Sequence, residues 1–113
     1  MHELARVELL AGLPGETLAK LAERMEREGV APGARVVEQG EDGERFYVVL
    51  TGMLTALQAE RGTRNVLRPG DYFGEVSLLM DLPRTATVQA VTPATVASCD
   101  RATFDEVIRP LFT

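Results

Sequence analysis

At 113 residues the chain is long enough for one modest core and too short for two. Its 45% hydrophobic and 26% charged content excludes a mostly disordered chain, and a formal charge of −5, with eleven Arg and one Lys scattered along it, excludes the basic stripe that direct binding to nucleic acid requires. No apolar run approaches the ~20 residues that span a bilayer and "MHELARVELL" lacks the layout of a signal peptide, so a cytoplasmic chain without a membrane segment is expected.

The first 28 residues read as helical. Leu4, Val7 and Leu10, then Leu18, Leu21, Ala22 and Met25, recur every three or four residues, and Pro14 and Glu16 suit the first turn of a second helix after a break at Gly12 to Pro14. From Gly29 the period falls to two and turn residues recur. "ARVVEQ" reads as a short strand, "EDGERFYVVL" as a turn into a strand, "TGMLTALQAE" as the next strand after Gly52, "RNVLRPGDYF" as a strand and turn, and "TATVQAV" and "TVASCD" as two more strands split by Thr92-Pro93. Evenly spaced short strands in a chain this small predict a mainly β protein, an antiparallel jelly-roll barrel over residues 29–101 with short flanking helices. Residues 102–113 return to helix, with Phe104, Val107 and Ile108 on one face until Pro110. Cys99 cannot form an internal disulfide and reads as a buried thiol.

Within the β region "FGEVSLLMDLPRTATV", residues 73–88, holds the one stretch that reads as a helical turn. Gly74 lets backbone amides point outward together, and a helix N-terminus adds partial positive charge, so an anion, and phosphate best of all, is the natural occupant. Arg84 follows at the start of the next strand, where its planar fork can hold two phosphate oxygens. Glu75 is wrong for phosphate and right for a hydroxyl, because an ionised carboxylate only accepts hydrogen bonds. One ligand carrying both a phosphate and a sugar hydroxyl would satisfy the pair.

This stretch resembles the phosphate-binding cassette of the cyclic nucleotide-binding domain family, with Phe73, Gly74, Glu75, Leu78, Leu79, Arg84, Ala86, Thr87 and Val88 where the family pattern wants them. Gly33, Gly40, "FYVVLTG" and "PGDYFGE" resemble the family's glycines and strands, and "VELLAGLPGETLAKLAERM" its preceding helical segment. The resemblance implies one domain over 1–113 that binds a cyclic nucleotide, with Arg84 on the exocyclic phosphate oxygens and Glu75 on the ribose 2′-hydroxyl. Amides near Gly74, Val76, Ser77, Thr85 and Ala86 would surround the phosphate, and Leu57, Asn65 and Leu67, beside Phe73, would line the base. Thr85 permits cyclic GMP without excluding cyclic AMP, so cyclic AMP is expected only because it is the commoner family ligand. No cofactor is implied beyond that ligand.

Each residue also has a plainer reading. Glu75 alone would be an acid in a first helical turn, worth about 0.3–1 kcal/mol, and Arg84 alone a solvated strand end. It is their occurrence together in the cassette that favours a site. His2 has no second histidine with which to hold a metal, which excludes a cupin-type enzyme, and neither Ser77 nor Cys99 has a base to activate it. A regulatory sensor is therefore expected, not an enzyme. The alternatives are a ligand-free barrel serving as an interaction module and the sensor half of a transcription regulator. "FDEVIRPLF" resembles the family's hinge helix in its kinase-regulatory form, and the further helix that folds over the base in the family is expected either from a larger protein of which this chain is a fragment or as a lid borrowed from a partner, with the effector unknown.

Overall fold

The computed structural model describes residues 3–60 and 62–112, without the side chains of Glu3, Thr63 and Arg64. His2 lies outside the described residues.

The N-terminal segment is helical on both sides of a break at residues 11–14, but the two sides differ in kind. Residues Glu3–Arg6 and Glu8–Leu10 form 3₁₀ turns, and only α1 (Gly15–Arg24) is α-helical. The reason is in the spacing: Leu4, Val7 and Leu10, all buried, are three apart throughout, which matches a 3₁₀ helix of three residues per turn. Pro14 precedes α1, and Leu18 and Leu21 face inward one turn apart.

Eight strands follow among the described residues. They are β1 (Glu26–Val30), β2 (Arg35–Val37), β3 (Arg45–Thr51), β4 (Leu54–Gln58), β5 (Thr63–Leu67), β6 (Tyr72–Phe73), β7 (Thr87–Ala90) and β8 (Ala94–Asp100). They build two four-stranded sheets, ordered β1-β8-β3-β6 and β2-β7-β4-β5, with every pairing antiparallel. The non-sequential neighbours and the two facing sheets make a mainly β jelly roll. The expected boundary between helices and barrel at residue 29 falls inside β1. "EREGV" gives no alternating signal because β1 is an edge strand whose first four residues are exposed, and its hydrogen bonds to β8 alone define it.

Strand β3 is buried on both faces, which explains the unbroken apolar run "FYVVL". Phe46 and Val48 face the helical layer and pack with Leu10, Leu21, Leu78, Phe104 and Ile108. Tyr47 and Val49 face the opposite sheet and pack with Leu54, Phe73, Val88 and Val96. The barrel therefore has one core between its sheets and a second beneath its helices.

Helix α2 (Glu75–Met80) interrupts the strands after β6. At the other end of the chain Asp100 caps a helical turn by accepting from the Thr103 amide at 2.9 Å. That turn, Arg101–Thr103, passes into a π-helical turn, Phe104–Ile108, and a 3₁₀ turn, Arg109–Phe112. Pro110 lacks an N–H to donate to the carbonyl four residues back, so regular α-helix cannot continue through it. Arg109 Nη2 donates to Leu78 O at 2.9 Å, tying this C-terminal segment to the end of α2.

Candidate functional site

Gly74 adopts φ 94°, a left-handed conformation that glycine enters without strain, and it turns the chain out of β6 into α2. A Cβ there would come within 2.9 Å of both Arg45 O and Arg84 Nη1. No side-chain hydrogen bond from the N-cap closes α2, and the amides of a first helical turn have no intrahelical partner. At the far end Asp81, also left-handed at φ 52°, closes the helix and sends the chain back towards Arg84.

The backbone of Arg84 is pinned to the loop after β2. Its N–H donates to Glu41 O at 2.7 Å, and its carbonyl accepts from the Gly40 amide at 2.9 Å. The residue as a whole is only 6% exposed. Nη1 donates to Gly74 O at 3.1 Å, Nη2 donates to Arg45 O at 2.8 Å, and Cζ lies 5.8 Å from the centre of the Tyr47 ring, within cation–π range. Tyr47 in turn stacks on Phe73 at 4.9 Å with the rings 3° from parallel. Burial lowers the pKa of the guanidinium, while Tyr47 and the carboxylates of Glu41, Glu44 and Glu75 act to raise it. An arginine remains charged in such a setting, so the floor of the site carries a fixed cation.

Glu75 presents the complementary group. Its Oε2 atom is buried and accepts no hydrogen bond. Burial pushes its carboxyl above the ordinary glutamate value, against the opposing pull of its own backbone N–H and of Arg84.

Both side chains line a cavity of about 250 Å³. The cassette supplies Phe73, Gly74, Glu75, Val76 and Ser77, and the returning segment supplies Arg84, Thr85 and Ala86. Asn65 and Leu67 line the facing wall. Ten of the eleven residues expected at the site thus meet around one space. Leu57 is the correction: it lines a separate cleft with Gln39 and Thr87. Side chains alternate along a strand, so Ala56 and Gln58 face the cavity and Leu57, between them, faces away. Ala56 pairs with Asn65 and Leu54 with Leu67, which places those partners on the inward face. The inward register could have been read from Leu54, whose burial sets the period for β4. Val37, Gln58 and Val88, also in the lining, carry no chemical signature that would single them out.

Among the described residues no group of three or more His, Cys, Asp or Glu side chains could hold a metal ion, and no helix is long and apolar enough to cross a membrane. What the cavity offers is a buried cation with the first turn of α2 beside it, a carboxylate oxygen in need of a donor, and a partly apolar wall. That combination defines a binding domain for a small ligand that is anionic at one point and bears a hydroxyl nearby.

The profile of the cyclic nucleotide-binding domain matches residues 27–110, and the chain belongs to that family. The regulatory subunit of cAMP-dependent protein kinase from Debaryomyces hansenii is 37% identical over 107 residues, covering 95% of this chain and 24% of that protein. The chain thus spans about a quarter of the length of such relatives. Among solved structures, the regulatory domain of Toxoplasma gondii protein kinase A with cAMP is 31% identical with a TM-score of 0.89, covering 96% of this chain and 44% of that one. The regulatory subunit of a cAMP-independent protein kinase A from Trypanosoma cruzi, bound to guanosine, is 27% identical with a TM-score of 0.86, covering 96% and 40%.

Proposed function

We propose that this chain is a sensor domain that binds a cyclic nucleotide, cyclic AMP foremost and cyclic GMP as well, and passes the binding event to a larger signalling protein. The observation that carries the reading is the pairing, around one cavity, of the buried Arg84 guanidinium with the unpartnered Oε2 of Glu75. Arg84 takes the exocyclic phosphate oxygens. Glu75 accepts from the ribose 2′-hydroxyl. Amides of Gly74, Val76, Ser77, Thr85 and Ala86 surround the phosphate, and the base rests against Leu67, Asn65 and the Phe73 side of the cavity.

A buried arginine lining the cavity favours an anionic ligand over a bare nucleoside, because a buried cation gains most from a charge-assisted hydrogen bond. Similarity to kinase regulatory subunits supports a regulatory role, and the domain works without catalysis of its own. Cys99 packs in the helical-side core and does not line the cavity. A buried, unpaired cysteine fits a reducing cytoplasm.

Equilibrium titration with cyclic AMP, with adenosine and 5′-AMP as controls, tests the reading. Saturable binding of cyclic AMP at least about tenfold tighter than adenosine, roughly 1.4 kcal/mol, supports it. Equal affinity for the two would overturn the phosphate role.

A further inference from the structure

The guanidinium of Arg84 rests on Gly43. A Cβ placed on Gly43 would lie 2.4 Å from Arg84 Cζ, 2.4 Å from Nε and 2.8 Å from Nη1, all far inside van der Waals contact. Gly43 itself is buried and has no left-handed φ, so nothing in its own backbone calls for glycine. What calls for it is the arginine. The guanidinium also meets the Gly74 and Arg45 carbonyls and the Tyr47 ring, and it lines the candidate phosphate cavity, which offers it open space.

We propose that Gly43 is a positioning residue for Arg84 and, through it, a determinant of whether the cavity prefers a cyclic nucleotide to a nucleoside; this rests on the phosphate role assigned to Arg84 above. The physical argument turns on which group yields. The clashing atoms are the far end of a flexible side chain, and an open cavity lies beside them, so an added methyl moves the guanidinium and leaves the backbone where it is. A displaced guanidinium loses its two carbonyl acceptors and occupies the space meant for phosphate. A nucleoside, with no phosphate to place, is indifferent to that displacement.

Gly43→Ala, in the chain as it stands, is the test, with cyclic AMP and adenosine as probes. Affinity for cyclic AMP should fall about tenfold, equivalent to one charge-assisted hydrogen bond, while adenosine changes by less than about threefold. Equal losses for both ligands would make Gly43 a merely structural residue and overturn the proposal. So would an unchanged affinity for cyclic AMP. A double-mutant cycle with Arg84→Lys, whose single terminal nitrogen lacks the fork that meets the methyl, supplies the coupling. The effect of Gly43→Ala on cyclic AMP should shrink in the Arg84→Lys background, and effects that simply multiply would contradict action through Arg84. The guanidinium resonance of Arg84 in the ligand-free protein separates the two layers. If it shifts in Gly43→Ala while the parent binds no cyclic nucleotide, Gly43 positions Arg84 but the selectivity claim and the phosphate reading both fall; if it does not shift while the parent binds cyclic AMP, the proposal for Gly43 falls and the phosphate reading stands.

Discussion

Arg84 and Glu75 line one cavity with opposite deficits. Arg84 gives one hydrogen bond from each terminal nitrogen to the carbonyls of Gly74 and Arg45, and each of those nitrogens carries a second hydrogen. Glu75 keeps an oxygen buried and without a donor, an arrangement that costs free energy until something supplies one. A ligand that brings an anionic oxygen to the first and a hydroxyl to the second relieves both, and a cyclic ribose phosphate brings them from one rigid ring.

The ribose role of Glu75 is read with the 2′-deoxy analogue of cyclic AMP. The parent should prefer cyclic AMP by about five- to a hundredfold, since binding the analogue leaves the carboxylate desolvated and unpaired at a cost of about 1–3 kcal/mol. In Glu75→Ala the preference should vanish. Equal affinity of the parent for the two ligands would remove the assignment.

Stability should carry the signature of the same carboxylate. Burial raises the Glu75 pKa in the folded state, so the native protein holds this proton to higher pH than the unfolded chain does. Its contribution to stability is complete below the ordinary carboxylate range and is lost as pH rises through the folded value. Glu75→Gln deletes that loss. The ligand-free variant should therefore melt above the parent at pH 7, and the gap should close near pH 4, where the glutamate of both states is largely protonated.

Cys99 gives an alkaline counterpart. Burial pushes its thiol from 9.0 up to about 11, with Asp100 adding to the effect. Stability from this group is complete below about 9 and declines as pH rises towards 11. Because the side chain is fully buried in β8, a thiol reagent at pH 8 should modify it only through global opening, at a rate that rises with denaturant. Rapid modification of the native protein would contradict this placement.

Phe104 anchors the C-terminal turns. It is fully buried and meets Phe46 with ring centres 5.4 Å apart and Phe112 at 6.4 Å. Phe104→Ala should cost about 3–5 kcal/mol in chemical denaturation. A cost below about 1 kcal/mol would mean that the C-terminal segment does not complete the helical-side core.

What was legible in the sequence is what is chemically local. The cassette puts a turn glycine, a carboxylate and an arginine within one short stretch, and strand alternation with glycine punctuation outlines the barrel. Strand β1 escaped because its side chains are exposed and only its backbone pairing defines it. The N-terminal 3₁₀ turns read only as helical, because a spacing of three in so short a segment satisfies the α and the 3₁₀ period alike. Leu57 was misplaced by one position in a strand whose faces alternate, and such a slip inverts the face. Gly43 gave no signal at all, because its significance is a through-space contact with an arginine far along the chain.

The central claim is that Arg84 holds the phosphate, and calorimetric titration of the parent and Arg84→Leu with cyclic AMP and adenosine tests it most directly. Removing one partner of a buried charged interaction costs about 2–5 kcal/mol, so the variant should bind cyclic AMP more than about twentyfold more weakly, with adenosine affinity nearly unchanged. A folded Arg84→Leu variant that binds cyclic AMP within about threefold of the parent, roughly 0.65 kcal/mol, would contradict the account.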